Sequence, residues 1–138
     1  MDAPERNGFV GLVLVSHSAS IADGLAELVA QVAGPDVPII AAGGGPDGSL
    51  GTDGAKVSRA LQDAAQGSGA VVLMDLGSSV LSVRAAMAEL DDETSERLVV
   101  ADAPLVEGAI AAGVTASTGA TAEEVAAAAR EARSVVKF

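Results

Sequence analysis

The stretch GFVGLVLVSHS at residues 8–18 begins as an aliphatic run and stops abruptly at two serines flanking the only histidine of the chain. Val10 and the run from Leu12 to Val15 are β-branched or leucine, too short for a helix, and bounded by Gly8 and Ser16. That pattern predicts a strand over residues 10–15 with both faces covered, as in a parallel sheet. His17 then stands at the carboxyl end of the strand, just before a helix expected to start at Ser20 as its N-cap. In open parallel sheets ligands bind at that edge. A core histidine has apolar neighbours, whereas His17 sits between Ser16 and Ser18 and leaves the strand.

Working outward, the same alternation of short strand and helix recurs. A helix to about residue 33 carries Ile21, Leu25, Leu28, Val29 and Val32 at helical spacing, read as its inner face, and Gly34-Pro35 ends it. A short strand over 37–42 leads into GGGPDGSLGTDG (43–54), a glycine-rich stretch too flexible for the core, which ends at the same edge as His17. A helix over 53–66 and a strand over 70–74 follow. DLGSS (75–79) then opens a helix capped by Ser78 or Ser79, with Val80, Val83, Met87 and Leu90 inward. A charged turn at 91–96 precedes a fourth strand at 98–101. Pro104 suits the first turn of a helix with Val106, Ala109, Ile110 and Val114 inward. Thr121 to Glu124 forms a capping box for a last, alanine-rich helix. The tail over 135–138 is expected to pack on the sheet edge or on a partner. This is the βαβ signature of an α/β fold: an open, mainly parallel four-stranded sheet with helices on both faces. Residues 1–8 are expected to be a disordered tail and 9–138 a single domain.

Composition narrows the function. Nineteen acidic against eight basic residues give a formal net charge of -11, which disfavours nucleic acid and anionic membranes and favours a basic protein partner. Without cysteine and with one histidine, thiol chemistry is excluded and no metal site is expected. The N-terminus resembles no secretory signal and no apolar run spans a bilayer, so a cytoplasmic protein is expected.

Right-handed crossovers bring Ser16-His17-Ser18, the glycine-rich stretch and DLGSS to one edge. There Asp75 can hold one ring nitrogen of His17 and leave the other as a nucleophile. The hydroxyls of Ser16, Ser18, Thr52, Ser78 and Ser79, with nearby backbone N–H groups, suit phosphoryl oxygens. Simpler readings stand beside this one: Asp75, Ser78 and Ser79 as helix caps, and the glycine stretch as a long turn. A P-loop is excluded because no G-x-x-x-x-G-K-[ST] occurs; G-x-G-x-x-G after the first strand and a G-x-S-x-G elbow are also missing.

LVLVSHSASIADGL (12–25), GGGPDGSLGTDGAKV (43–57), VVLMDLGSSVLSVRAAMAEL (71–90) and DAPLVEGAIAAG (102–113) together closely resemble one family. It is the IIA-type phosphotransferase subunit of the phosphoenolpyruvate-dependent dihydroxyacetone kinase, in the mannose-type IIA fold superfamily. The resemblance implies that His17 receives a phosphoryl group from the phosphocarrier HPr. His17 then passes it to ADP on the nucleotide-binding kinase subunit, for dihydroxyacetone held on another subunit. It implies that Asp75 orients His17, that Ser78, with Ser79 second, lines the phosphate, and that Gly43, Gly51 and Thr52 border the site. No directly bound cofactor, Nε2 as the modified atom and a homodimer are implied as well. Some members carry fused HPr-like and enzyme-I-like domains; this chain is expected to depend instead on a separate HPr or on another donor. The alternatives are a mannose-type IIA component of a sugar permease and a non-enzymatic signalling or binding module. The latter is poorly matched, because a receiver domain needs an acidic pair where Ser16 and His17 stand.

Overall fold

The computed structural model describes residues 8–138, so the expected tail, apart from Gly8, lies outside the described residues. Strands β1 (Gly11–Ser16), β2 (Ile39–Gly43), β3 (Ala70–Met74) and β4 (Leu98–Val100) form one sheet in the order β2-β1-β3-β4, and every pairing is parallel. Among the described residues six α-helices connect or follow them: α1 (Ala19–Ala33), α2 (Gly54–Ala64), α3 (Ser78–Glu89), the short α4 (Asp92–Ser95), α5 (Leu105–Ala116) and α6 (Ala122–Glu131), with a 3-10 turn over Ala132–Ser134. The expected four-stranded parallel α/β fold is the one observed.

Both faces of β1 are buried, and its alternation builds two cores. Val10, Leu12 and Leu14 pack with Leu25 and Val29 of α1 and with α5 and α6. Val13 and Val15 pack with Val57 and Leu61 of α2 and Val83 of α3. The chain runs from β1 outward to β2 and then returns to place β3 on the other side of β1. The strand order therefore reverses between β1 and β3, the point in an open parallel sheet where the loops after neighbouring strands diverge.

Several local expectations are corrected. Ser18, not Ser20, caps α1, its Oγ accepting from the Ile21 N–H at 3.2 Å. The inner stripe of α1 is Ala22, Leu25, Val29 and Ala33, while Ile21, Leu28 and Val32 are about half exposed. On α5 the inward positions are Leu105, Gly108, Ala109, Ala112, Gly113 and Ala116, and Val106 and Val114 face outward. The cause is close approach: a Cβ on Gly113 would lie 2.7 Å from Val29 Cγ1, so small residues take the seam and larger ones flank it. On α3, Val83 is buried as expected, but Ser79 and Ala86 take the other buried positions. Val80, Met87 and Leu90 pack only partly against that core. The stretch expected as a charged turn contains α4. The capping box of α6 forms as expected: Glu124 N–H donates to Thr121 Oγ1, and Thr121 N–H to Glu124 Oε1. The last residues, Val135, Val136 and Phe138, are exposed, so they do not fold back on the sheet. Among the described residues, no helix is long and apolar enough to cross a membrane.

Candidate active site

The paired strands β1 and β3 bring His17 and Asp75 together, because each directly follows the last residue of its strand. Asp75 N–H still donates to Val15 O at 3.0 Å, which extends the ladder and fixes where its side chain starts. The carboxylate then receives donors on both oxygens. Oδ2 accepts from Ser16 Oγ at 2.8 Å and from the His17 backbone N–H at 3.0 Å. Oδ1 accepts from the Leu76 N–H at 2.7 Å and lies 3.0 Å from His17 Nδ1.

These bonds set the charge of Asp75. Burial is the largest single influence and pushes its pKa upward. Hydrogen bonds from the Ser79 hydroxyl, the His17 N–H, the Ser16 hydroxyl and the Leu76 N–H together outweigh it, and hold the carboxyl far below its ordinary 3.8. An ionised carboxylate only accepts, so the Nδ1 facing it carries the imidazole proton. Nε2 is then the nitrogen that carries the ring's lone pair. Ser78 Oγ lies 2.6 Å from Nε2 and donates to it. The His17 side chain is 29% exposed and that of Asp75 18%, so the ring is reachable while its anchor is largely covered.

The serines of the sequence motif divide into distinct places. Ser16 and Ser79 are fully buried. Ser16 Oγ accepts from the Ser18 N–H at 3.1 Å while donating to Asp75, and Ser79 Oγ lies 3.1 Å from His17 Nδ1. Both stand on the Asp75 side of the ring. Ser78 alone is at Nε2. Ser18 is occupied as the α1 cap.

Gly77 precedes α3 with φ 53°, a conformation that favours glycine, and a Cβ there would stand 3.9 Å from His17 Nε2. Glycine thus keeps the open side of the nucleophile clear.

The glycine-rich stretch is more ordered than expected. Gly43, Gly44 and Gly45 are buried. Gly44 N–H donates to Ser16 O at 3.1 Å, and Gly51 N–H to His17 O at 2.9 Å. Thr52 Oγ1 lies 2.8 Å from Ser82 Oγ, which ties the loop to α3; Thr52 therefore meets a serine rather than the ring. Lys56 Nζ donates to Gly43 O at 2.9 Å and closes the edge of β2.

Gly43 borders the site through packing. A Cβ on it would lie 2.5 Å from Ser18 O and 2.8 Å from Ala22 Cβ, so β2 and the start of α1 touch backbone to backbone. Gly43→Ala is expected to destabilise the fold by about 1–3 kcal/mol, the cost of overpacking a rigid contact. Chemical denaturation checks this; an unchanged midpoint would show that the contact relaxes freely.

Ser82, the Leu76 N–H and the Gly77 conformation were not singled out from the sequence. Ser82 follows Ser78 by one helical turn, the one signal that could have placed it on the same face. Among the described residues, no group of three His, Cys, Asp or Glu side chains could hold a metal ion.

Comparison with known proteins places this geometry. The chain is 41% identical over 119 residues to "PEP-dependent dihydroxyacetone kinase, phosphoryl donor subunit DhaM" of Providencia stuartii, covering 84% of this chain and 25% of that protein. It thus spans only a quarter of that relative's length. A Listeria innocua protein, "PEP-dependent dihydroxyacetone kinase 2, phosphoryl donor subunit DhaM", is 36% identical, with 84% of this chain and 93% of that one covered. A solved structure titled for a protein of unknown function, EF1359, superposes with a TM-score of 0.77 at 35% identity over 87% of this chain and 92% of that one. The family described as EIIA-man, PTS system fructose IIA component, matches residues 11–126, and the chain belongs to it as a homologue of dihydroxyacetone kinase phosphoryl-donor subunits.

Proposed function

We propose that this protein is a phosphohistidine relay enzyme. In this reading His17 accepts a phosphoryl group from HPr and passes it to ADP held by the nucleotide-binding subunit of dihydroxyacetone kinase. The observation that carries it is the pairing of Asp75 with Nδ1 at 3.0 Å, which leaves Nε2 beside the exposed Ser78. The Nε2 lone pair attacks the phosphorus of the donor's phosphohistidine, the donor's P–N bond breaks, and a P–N bond to His17 forms. In the second step a terminal phosphate oxygen of ADP attacks, the His17 P–N bond breaks, and ATP results. Throughout, Asp75 holds the Nδ1 proton and balances the positive charge that develops on the ring. Ser78 Oγ turns from Nε2 to a phosphoryl oxygen, and the N-terminus of α3 stands close by for the same charge.

No directly bound cofactor is invoked, since ADP comes with the partner subunit. A cytoplasmic location follows from a partner that carries phosphoryl groups inside the cell. Dihydroxyacetone kinase is chosen over a sugar permease because the Providencia and Listeria relatives are phosphoryl-donor subunits of that kinase.

The test is intact-mass analysis after mixing with phosphorylated HPr. One phosphoryl group should add, survive alkali and be lost in acid, as a phosphoramidate bond does. Loss in alkali would mean an acyl phosphate on Asp75 and would overturn the relay. A stable phosphoprotein that fails to convert ADP on the kinase subunit would direct the search to a sugar pathway.

A further inference from the structure

Helix α3 begins at two serines, yet no side chain caps it; its N-cap is Gly77. A serine at a helix start ordinarily stabilises the helix by accepting one of its free N–H groups. The Ser79 hydroxyl is fully buried and turned instead to the pair behind the helix. Its Oγ lies 3.1 Å from His17 Nδ1, and its O–H donates to the Asp75 carboxylate. Burial pushes the Asp75 carboxyl up, and the Ser79 hydroxyl is the strongest of the hydrogen bonds that overcome it. With its own proton given to Asp75, Ser79 Oγ can only accept from Nδ1–H. The ring proton is thus shared between Asp75 Oδ1 at 3.0 Å and Ser79 Oγ at 3.1 Å. Ser16 also donates to Asp75, at Oδ2, but Ser79 meets the ring nitrogen as well.

We propose that Ser79 positions a proton and not the phosphoryl group: it keeps the ring proton on Nδ1 while His17 is phosphorylated. The inference rests on the relay reading and deepens it. Once Nε2 is bonded to phosphorus, the ring holds Nδ1–H and a positive charge, and that N–H is a stronger acid than before. It faces a carboxylate, and crossing to Oδ1 would neutralise both groups. The P–N bond would then have to break with imidazolate as the leaving group, a strong base that leaves poorly. With the proton kept, the bond breaks with its electron pair returning to Nε2. The product is neutral imidazole carrying Nδ1–H, and no proton moves in either transfer. Ser79 opposes the crossing from both sides. Its O–H lowers the proton affinity of the carboxylate, and its oxygen stabilises the N–H.

The sign of one effect tests this. The full chain is phosphorylated by phosphorylated HPr, separated from it, and followed by intact mass at a fixed neutral pH. Ser79→Ala should lengthen the half-life of the phosphoprotein about fivefold, the scale of one hydrogen bond. Transfer to ADP on the kinase subunit should slow by a similar factor. The half-saturating HPr concentration should stay within twofold, because a fully buried side chain does not touch a partner. A structural role would loosen the site, admit water and shorten the half-life instead. Nδ1 of the parent phosphoprotein should show the ¹⁵N shift of a protonated nitrogen, and that of the variant should move towards an unprotonated one. Ser79→Cys is the second variant should alanine prevent folding; its weaker S–H donor should lengthen the half-life by a smaller factor. A half-life lengthened less than twofold in Ser79→Ala, or shortened in either variant, would overturn the role of Ser79 while leaving the relay standing. So would an unprotonated Nδ1 in the parent phosphoprotein. A parent that takes up no phosphoryl group would overturn the relay, and this role with it.

Discussion

His17→Gln is expected to take up no phosphoryl group from phosphorylated HPr, while its fold persists. The chain has no other histidine and no cysteine, so no second imidazole and no thiol is available to take the phosphoryl group. The loss should therefore be complete rather than graded. Stability should change little, because the ring is 29% exposed and the backbone N–H of residue 17 still reaches Asp75 at 3.0 Å. Losing the one ring contact to the carboxylate corresponds to about 1 kcal/mol. Intact mass reads the first expectation and denaturant unfolding the second. Undiminished labelling of a folded variant would move the acceptor elsewhere and end the mechanism.

The site was legible in the sequence to different depths at different residues, for physical reasons. β1 and β3 were readable because a strand buried on both faces leaves no polar residue inside the run. The first polar residues, Ser16 and Asp75, therefore mark where each strand leaves the core. The reversal of strand order then brings those exits together, and little else is needed to bring His17 to Asp75. The serines were harder. Composition shows five hydroxyls at one edge but not their directions, and direction separates Ser78 at Nε2 from Ser16 and Ser79 on the Asp75 side. The helix faces of α1 and α5 were misread because hydrophobicity ranks Ile21 above Ala22. Packing ranks them the other way wherever helices approach as closely as Gly113 and Val29 do. The displaced aliphatics Leu28, Val32, Val106 and Val114 are the visible result. The glycine stretch was misread for a related reason: glycine there serves close backbone approach, and its N–H groups at 44 and 51 are committed to β1 and His17.

Asp75→Asn should slow phosphoryl transfer by about a hundredfold or more, the scale of a positioned acid–base partner. The carboxylate is an acceptor at both oxygens, and two of its partners, the backbone N–H groups of His17 and Leu76, cannot turn away. An amide has one acceptor and one donor end, so neither orientation fits. With the NH₂ at the Oδ1 position it opposes the Leu76 N–H and donates to Nδ1, which drives the ring proton to Nε2 and blocks the nucleophile. With the NH₂ at the Oδ2 position it opposes the His17 N–H and displaces the residue that carries the ring. A purely structural role would shift stability alone. A positioning role also moves the imidazole tautomer, which ¹⁵N chemical shifts of the His17 ring report directly. The parent should show its proton on Nδ1; the variant should show it transferred to Nε2 or exchanging between the two. Acid provides an independent check on the parent. The folded pKa of Asp75 lies below its ordinary 3.8, so its contribution to stability is fully present above that value and is lost as the pH falls through the folded one. The Nδ1 tautomer in the neutral ring and the transfer rate should therefore owe nothing to Asp75 titration anywhere near neutral pH. A variant with parental kinetics and an unchanged tautomer would reduce Asp75 to a link between two strand ends, and the orientation of His17 would then fall to Ser79, the other group on the Nδ1 side.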